Sequence, residues 1–149
     1  MQHPTLSRRA FVASVVPTLA ALGALRSARA AGSCERHGAH AGPPEPHPTP
    51  RPGVDGSRVL KAGRLAGAPP AVLEAFEAAR RIPQVVDGIR CHCGCASQDG
   101  NYSLLSCFEG DGMARHCDVC QGQARLAFRL HRGGRSLRDV RAAIDARYG

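Results

Sequence analysis

"RHCDVCQGQARLAFRLHRGG", residues 115–134, decides the fold class. Val119, Leu126, Ala127 and Leu130 recur at helical spacing on one face, while Arg125, Arg129 and Arg132 share another. Gly133 and Gly134 then supply the stop that a helix of this length commonly uses. The alternation of period two that marks a half-buried strand is absent here and elsewhere in the chain. The stretch also opens on Cys117 and Cys120, three apart at the expected helix start, so both side chains reach the same side of the first turn.

The neighbouring stretches agree with that reading. "PPAVLEAFEAARRI", residues 69–82, follows a proline pair, sets Val72, Leu73, Phe76 and Ala79 on one stripe, and meets Pro83, which cannot continue a helix. Near the end of the chain, Ser136 with Asp139 three residues on resembles a capping box, and Leu137, Val140, Ile144 and Tyr148 follow at helical spacing. A short helical turn is expected at "YSLLSCF", residues 102–108. The expected fold is therefore all-α: a small domain of about four helices, residues 70–149, enclosing a Cys-rich loop.

What precedes that domain reads differently. Arg8 and Arg9 stand before a mostly apolar run from Phe11 to Leu25, and Ala28 and Ala30 follow at the spacing of a cleavage site. Ser7 and Phe11 around the paired arginines match a twin-arginine address. Residues 1–30 are thus expected to be a signal peptide, and the protein to be exported, periplasmic or extracytoplasmic. Residues 31–69, with "GPPEPHPTPRPG" at 42–53, show no hydrophobic period and are expected to form a flexible linker rich in Pro, Gly and His. Within it Cys34, His37, His40 and His47 form a tract that can capture metal loosely. Cys34 is also open to a lipid anchor, a secondary alternative to cleavage after Ala30.

The signal holds four arginines and no acid, so the formal charge of +8 falls to +4 once it is set aside. That balance, with no basic run and few aromatics, gives nucleic-acid binding no support. A domain of about 80 residues without Trp buries a small core, and chains of this size commonly need disulfides or a metal as staples.

The cysteines supply that motive. "CHCGC", residues 91–95, and "CDVC", residues 117–120, together with Cys107, place six in the folded part: Cys91, Cys93, Cys95, Cys107, Cys117 and Cys120. An even number in a small exported domain suits a disulfide framework. Bridges within such tight pairs are strained and reducible, although cross-links between the clusters remain open. As metal ligands the same residues gain from crowding. Gly94 lets the backbone bend, and the unpaired N–H groups of a helix start favour thiolates at Cys117 and Cys120. Soft thiolates select Cu(I), Zn(II) or iron in a cluster. His92 and His116 each adjoin a cysteine and are candidate ligands, whereas His131 suits the helix dipole better.

Read in order, "IPQVVDGIRCHCGC", "YSLLSCF", "HCDVCQGQA" and "SLRDVRAAIDARYG" resemble the bacterial PCYCGC-motif proteins, a family of exported proteins and lipoproteins. The likeness covers about residues 69–149. The aromatic of the family's loop is His92 here, its leading proline is Arg90, and a histidine before the "SL" step is Asn101 or Tyr102. The resemblance implies metal binding, with Cys91, Cys93, Cys95, Cys107, Cys117 and Cys120 as the functional set and His116 beside them.

Three functions follow as expectations. The first is an exported soft-metal-binding protein, Cu(I) ahead of zinc, serving metal buffering, delivery or resistance. Its partners would be the metal ion and a protein that donates or accepts it, with membrane contact only through the signal or a lipid at Cys34. The second is a thiol-disulfide redox protein using "CDVC", although a thioredoxin-like motif belongs in a βαβ setting that this chain lacks. The third is a disulfide-tied interaction module. No nucleophile motif, phosphate loop or helical metalloprotease pattern speaks for an enzyme.

Overall fold

The structure is a computed structural model, described here for residues 46–94 and 100–149. The expected signal peptide, Cys34, His37, His40 and Cys95 lie outside the described residues. Four α-helices carry the fold: α1 (Pro70–Arg81), α2 (Pro83–Asp87), α3 (Asp118–Arg132) and α4 (Leu137–Tyr148). Among the described residues three 3-10 turns accompany them, Ala62–Leu65 before α1 and Leu104–Phe108 and Met113–His116 between α2 and α3. No strand occurs among the described residues, only an isolated bridge between Val59 and Glu109. The all-α class stands.

Local chemistry accounts for the helix ends. Proline opens both α1 and α2, where its missing N–H costs nothing. Pro83 ends α1 and at once begins α2. At α4, the Ser136 Oγ accepts from the Asp139 N–H at 3.2 Å, and its hydroxyl donates to the Asp139 carboxylate at 2.8 Å. Gly112, with φ +63°, turns the chain into the Met113–His116 turn; a Cβ there would meet Leu60 Cδ1 at 2.3 Å.

Helix α3 is the centre of the packing, with α1 and α4 against it and the Leu104–Phe108 turn wedged beside α2. Phe76 of α1 and Phe108 meet edge to face, their centroids 4.9 Å apart. Two expected faces are rotated. On α1 the buried stripe is Val72, Ala75, Phe76, Ala78 and Ala79, while Leu73 is exposed. On α3 the buried residues are Cys120, Gln121, Gln123, Ala124 and Ala127, with Val119, Leu126 and Leu130 only partly covered. Small side chains take the contact because they let helices approach closely.

The packed unit also extends past residue 70 toward the N-terminus. Val59 and Leu65 are buried in the core, and Leu60 N–H donates to Phe108 O at 3.1 Å. Arg51 binds the buried Asp87 carboxylate through its backbone N–H at 2.7 Å and its Nη2 at 2.7 Å, while Ser103 Oγ donates to the same carboxylate at 2.7 Å. Arg141 of α4 donates to Gly88 O and Pro48 O. Residues 46–69 thus form an arm held mainly by arginine hydrogen bonds and two apolar plugs, with little of the periodicity that reveals a packed element in sequence.

Candidate metal centre

Three separate pieces of chain bring cysteines to one place. Cys91 and Cys93 follow α2, in the loop that Gly94 bends at φ +87°. Cys107 lies in the Leu104–Phe108 turn, Cys117 is the N-cap of α3, and Cys120 is that helix's third residue. Two anchors hold the pieces in register: the Leu104 N–H donates to Ile89 O at 2.7 Å, and the Cys120 N–H donates to Cys117 Sγ at 3.5 Å.

All five described cysteines carry thiols and none is in a disulfide. Cys91 Sγ lies 3.1 Å from Cys93 Sγ, and Cys120 Sγ lies 3.4 Å from each of them. These separations exceed the ~2.05 Å of a disulfide bond. They fall slightly short of the ~3.8 Å edge that thiolates would span around zinc at ~2.3 Å bonds. Two groups of three sulfurs lie within 4.8 Å of one another, Cys91 with Cys107 and Cys120, and Cys93 with Cys117 and Cys120. Cys120 belongs to both. Cys91, Cys107, Cys117 and Cys120 are buried in the hydrophobic core, and Cys93 is half-buried at its edge.

Packing of this kind splits the thiols electrostatically. Hydrogen bonds from Cys107, Cys117, Cys120 and Cys91 hold the Cys93 thiol far below the usual range, outweighing its burial. The same neighbours, Cys107 foremost, and near-complete burial push Cys120 far above it. Cys93 therefore ionises before Cys120, because several like charges cannot accumulate in so small a volume. A bound soft cation removes that restriction, and the start of α3 adds its dipole in the same sense. The donor set is one that can hold a metal ion.

A second layer supports the loop. His92, with a side chain only 2% exposed, directs Nε2 to Asp145 Oδ1 of α4 at 3.0 Å. His47 of the arm directs its own Nε2 to the same oxygen at 3.0 Å. The backbone N–H of Arg90 donates to His47 Nδ1 at 3.0 Å, so that nitrogen carries no proton and Nε2–H is the donor to the carboxylate. On His92 the Asp145 carboxylate likewise takes the Nε2–H, while Nδ1 lies 2.5 Å from the buried Gln123 Nε2 and 3.1 Å from Arg90 O. Burial, reinforced by the Arg90 charge, keeps His92 below the ordinary histidine pKa despite Asp145, so the ring is neutral.

Of the residues singled out in sequence, Cys91, Cys93, Cys107, Cys117 and Cys120 meet in the two groups. His116 is exposed beside Cys117 and belongs to neither. His92 is turned toward Asp145 and Gln123. His47, Asp145 and Gln123 had no sequence signal as partners of this loop; the one hint was a glutamine on the inner side of α3, where an apolar residue would be cheaper to bury.

The family described as "Protein of unknown function with PCYCGC motif" matches residues 57–149, more than half of the chain. No curated protein and no solved structure matches.

Proposed function

We propose, for a chain that belongs to the family of PCYCGC-motif proteins of unknown function, that it binds soft metal ions, Cu(I) ahead of zinc, through its clustered thiolates. The observation that carries this reading is the convergence of five thiols into two groups of three that share Cys120. Sets of three sulfurs in an apolar setting suit Cu(I), which is content with three soft ligands, whereas a closed zinc site wants four. Cys95 joins the proposed set on sequence grounds, and His116 has a proposed place at the rim beside Cys117.

The biological role proposed is metal buffering, delivery or resistance outside the cytoplasm, with a metal-donating or metal-accepting protein as partner. Export by the twin-arginine route, read from residues 7–11, would let thiols meet their ion before reaching an oxidising compartment. A membrane association would come through the signal or a lipid at Cys34; no helix among the described residues is long and apolar enough to cross a membrane. Burial of Cys117 and Cys120 weighs against the redox alternative, since exchange requires a partner to reach the sulfur.

Elemental analysis with thiol counting tests this, on protein purified anaerobically after growth with copper, zinc or iron supplied separately. Expected is copper in fixed ratio, with thiols that become titratable only after chelation. No metal, with all six domain cysteines oxidised in a stable fold, would sink the reading.

A further inference from the structure

We infer that the thiol cluster is a two-ion site: each group of three binds one Cu(I), and the Cys120 sulfur bridges the pair. The inference rests on the proposed metal-binding function and deepens it.

The donor count leads there. Cys91, Cys107 and Cys120 make one group, and Cys93, Cys117 and Cys120 the other, so two three-coordinate ions sharing a single sulfur use all five of the described thiols. One ion in either group would leave two sulfurs of the other beside it without a metal. Thiols serving only as small apolar side chains have no reason to converge from the loop after α2 and the start of α3 to within 3.1 to 3.4 Å. Two tetrahedral zinc ions sharing one sulfur would need seven ligands, against the five thiols that the two groups supply.

Position and charge fit the bridging role. Cys120 is fully buried and within 3.4 Å of both Cys91 and Cys93, on opposite members of the two groups. A bridging sulfur shares its negative charge between two cations, which suits a fully buried member of the cluster. Its place in the first turn of α3 fixes it against the N-cap Cys117, so the bridge sits on a rigid element rather than in the loop.

Titration of the reduced, metal-free full chain with Cu(I), in competition with a chelator that strips weak sites such as the Cys34 tract, tests the inference. Two Cu(I) per chain are expected, with sulfur-only ligation and a short Cu–Cu scattering path in X-ray absorption. Cys107→Ser is expected to keep one ion, and Cys120→Ser to keep neither against the same chelator. A ratio of one or any other fixed value in the unaltered chain, or two ions retained by Cys120→Ser, overturns the two-ion site and leaves metal binding standing. No uptake at all overturns both. The stoichiometry and scattering of the unaltered chain decide the matter even where a variant fails to fold.

Discussion

Asp145 is the residue on which the thiol loop leans. Its carboxylate accepts from His92 and His47 together, and so joins α4, the arm and the loop through a single oxygen pair. Burial would raise its pKa, but the hydrogen bonds from His47 and His92 bring it below the ordinary value, so it stays ionised at neutral pH. Asp145→Ala would leave the nearly inaccessible His92 Nε2–H with no acceptor, a cost of about 1–3 kcal/mol. Because His92 lies between Cys91 and Cys93, the expected functional effect is a fall in Cu(I) affinity of roughly 10- to 100-fold, the range usual for groups that orient ligands. His47→Ala should do less, since His92 keeps its acceptor. Chelator competition reads the affinity and thermal melting reads the fold; Asp145→Ala with both unchanged would rule out the clamp.

At the scale of elements, the junction of the arm with α2 depends on Asp87. Burial pushes its carboxyl up, yet the Arg51 side chain, the Arg51 backbone N–H, the Ser103 hydroxyl and the Arg51 charge together hold it below the usual range. With the folded pKa depressed, its contribution to stability is complete above the unfolded value near ~3.9 and is lost as pH falls through the folded one. Melting followed from pH 7 to pH 2 should therefore show an acid limb below about pH 4 that is reduced in Asp87→Asn, a variant expected to be destabilised at pH 7 by about 2–4 kcal/mol. An unchanged acid limb would show that other carboxylates set it. This junction was not legible in the sequence, because Arg51 and Asp87 stand 36 residues apart and neither belongs to a periodic pattern. What could be read was local: the proline at the end of α1, the paired glycines after α3 and the capping box of α4. The inner face of α3 was misread for a physical reason, since Cys120, Ala124 and Ala127 win the contact by being small, and Gln123 is buried for the sake of His92. The cysteines were legible as a set, but their division into two groups with a common sulfur requires a position for Cys107 that only the packing of its turn against α2 and α3 provides.

For the whole molecule, the arm and the thiol cluster are two ends of one stability problem. Four of the residues in the core are cysteines, which contribute less apolar area than the leucines or valines that could stand there. The arm offsets part of that deficit by inserting Val59 and Leu65 and by meeting the buried charge of Asp87. A chain cut to residues 70–149, the extent that helical periodicity alone suggests, loses both plugs and leaves Asp87 without its arginine. It is expected to show weak helicity and a broad, non-cooperative melt, whereas residues 46–149 should melt as one unit. If the proposed Cu(I) site forms only in the folded state, a free concentration near 1,000 times the dissociation constant would add at most about 4 kcal/mol to either chain that can fold. Circular dichroism of both chains, reduced and with or without Cu(I), separates the two contributions. The longer chain should gain melting temperature on loading, and the shorter should recover helicity only when the ion is present. A chain of residues 70–149 that folds cooperatively without metal would show that the arm is dispensable and that the four helices suffice.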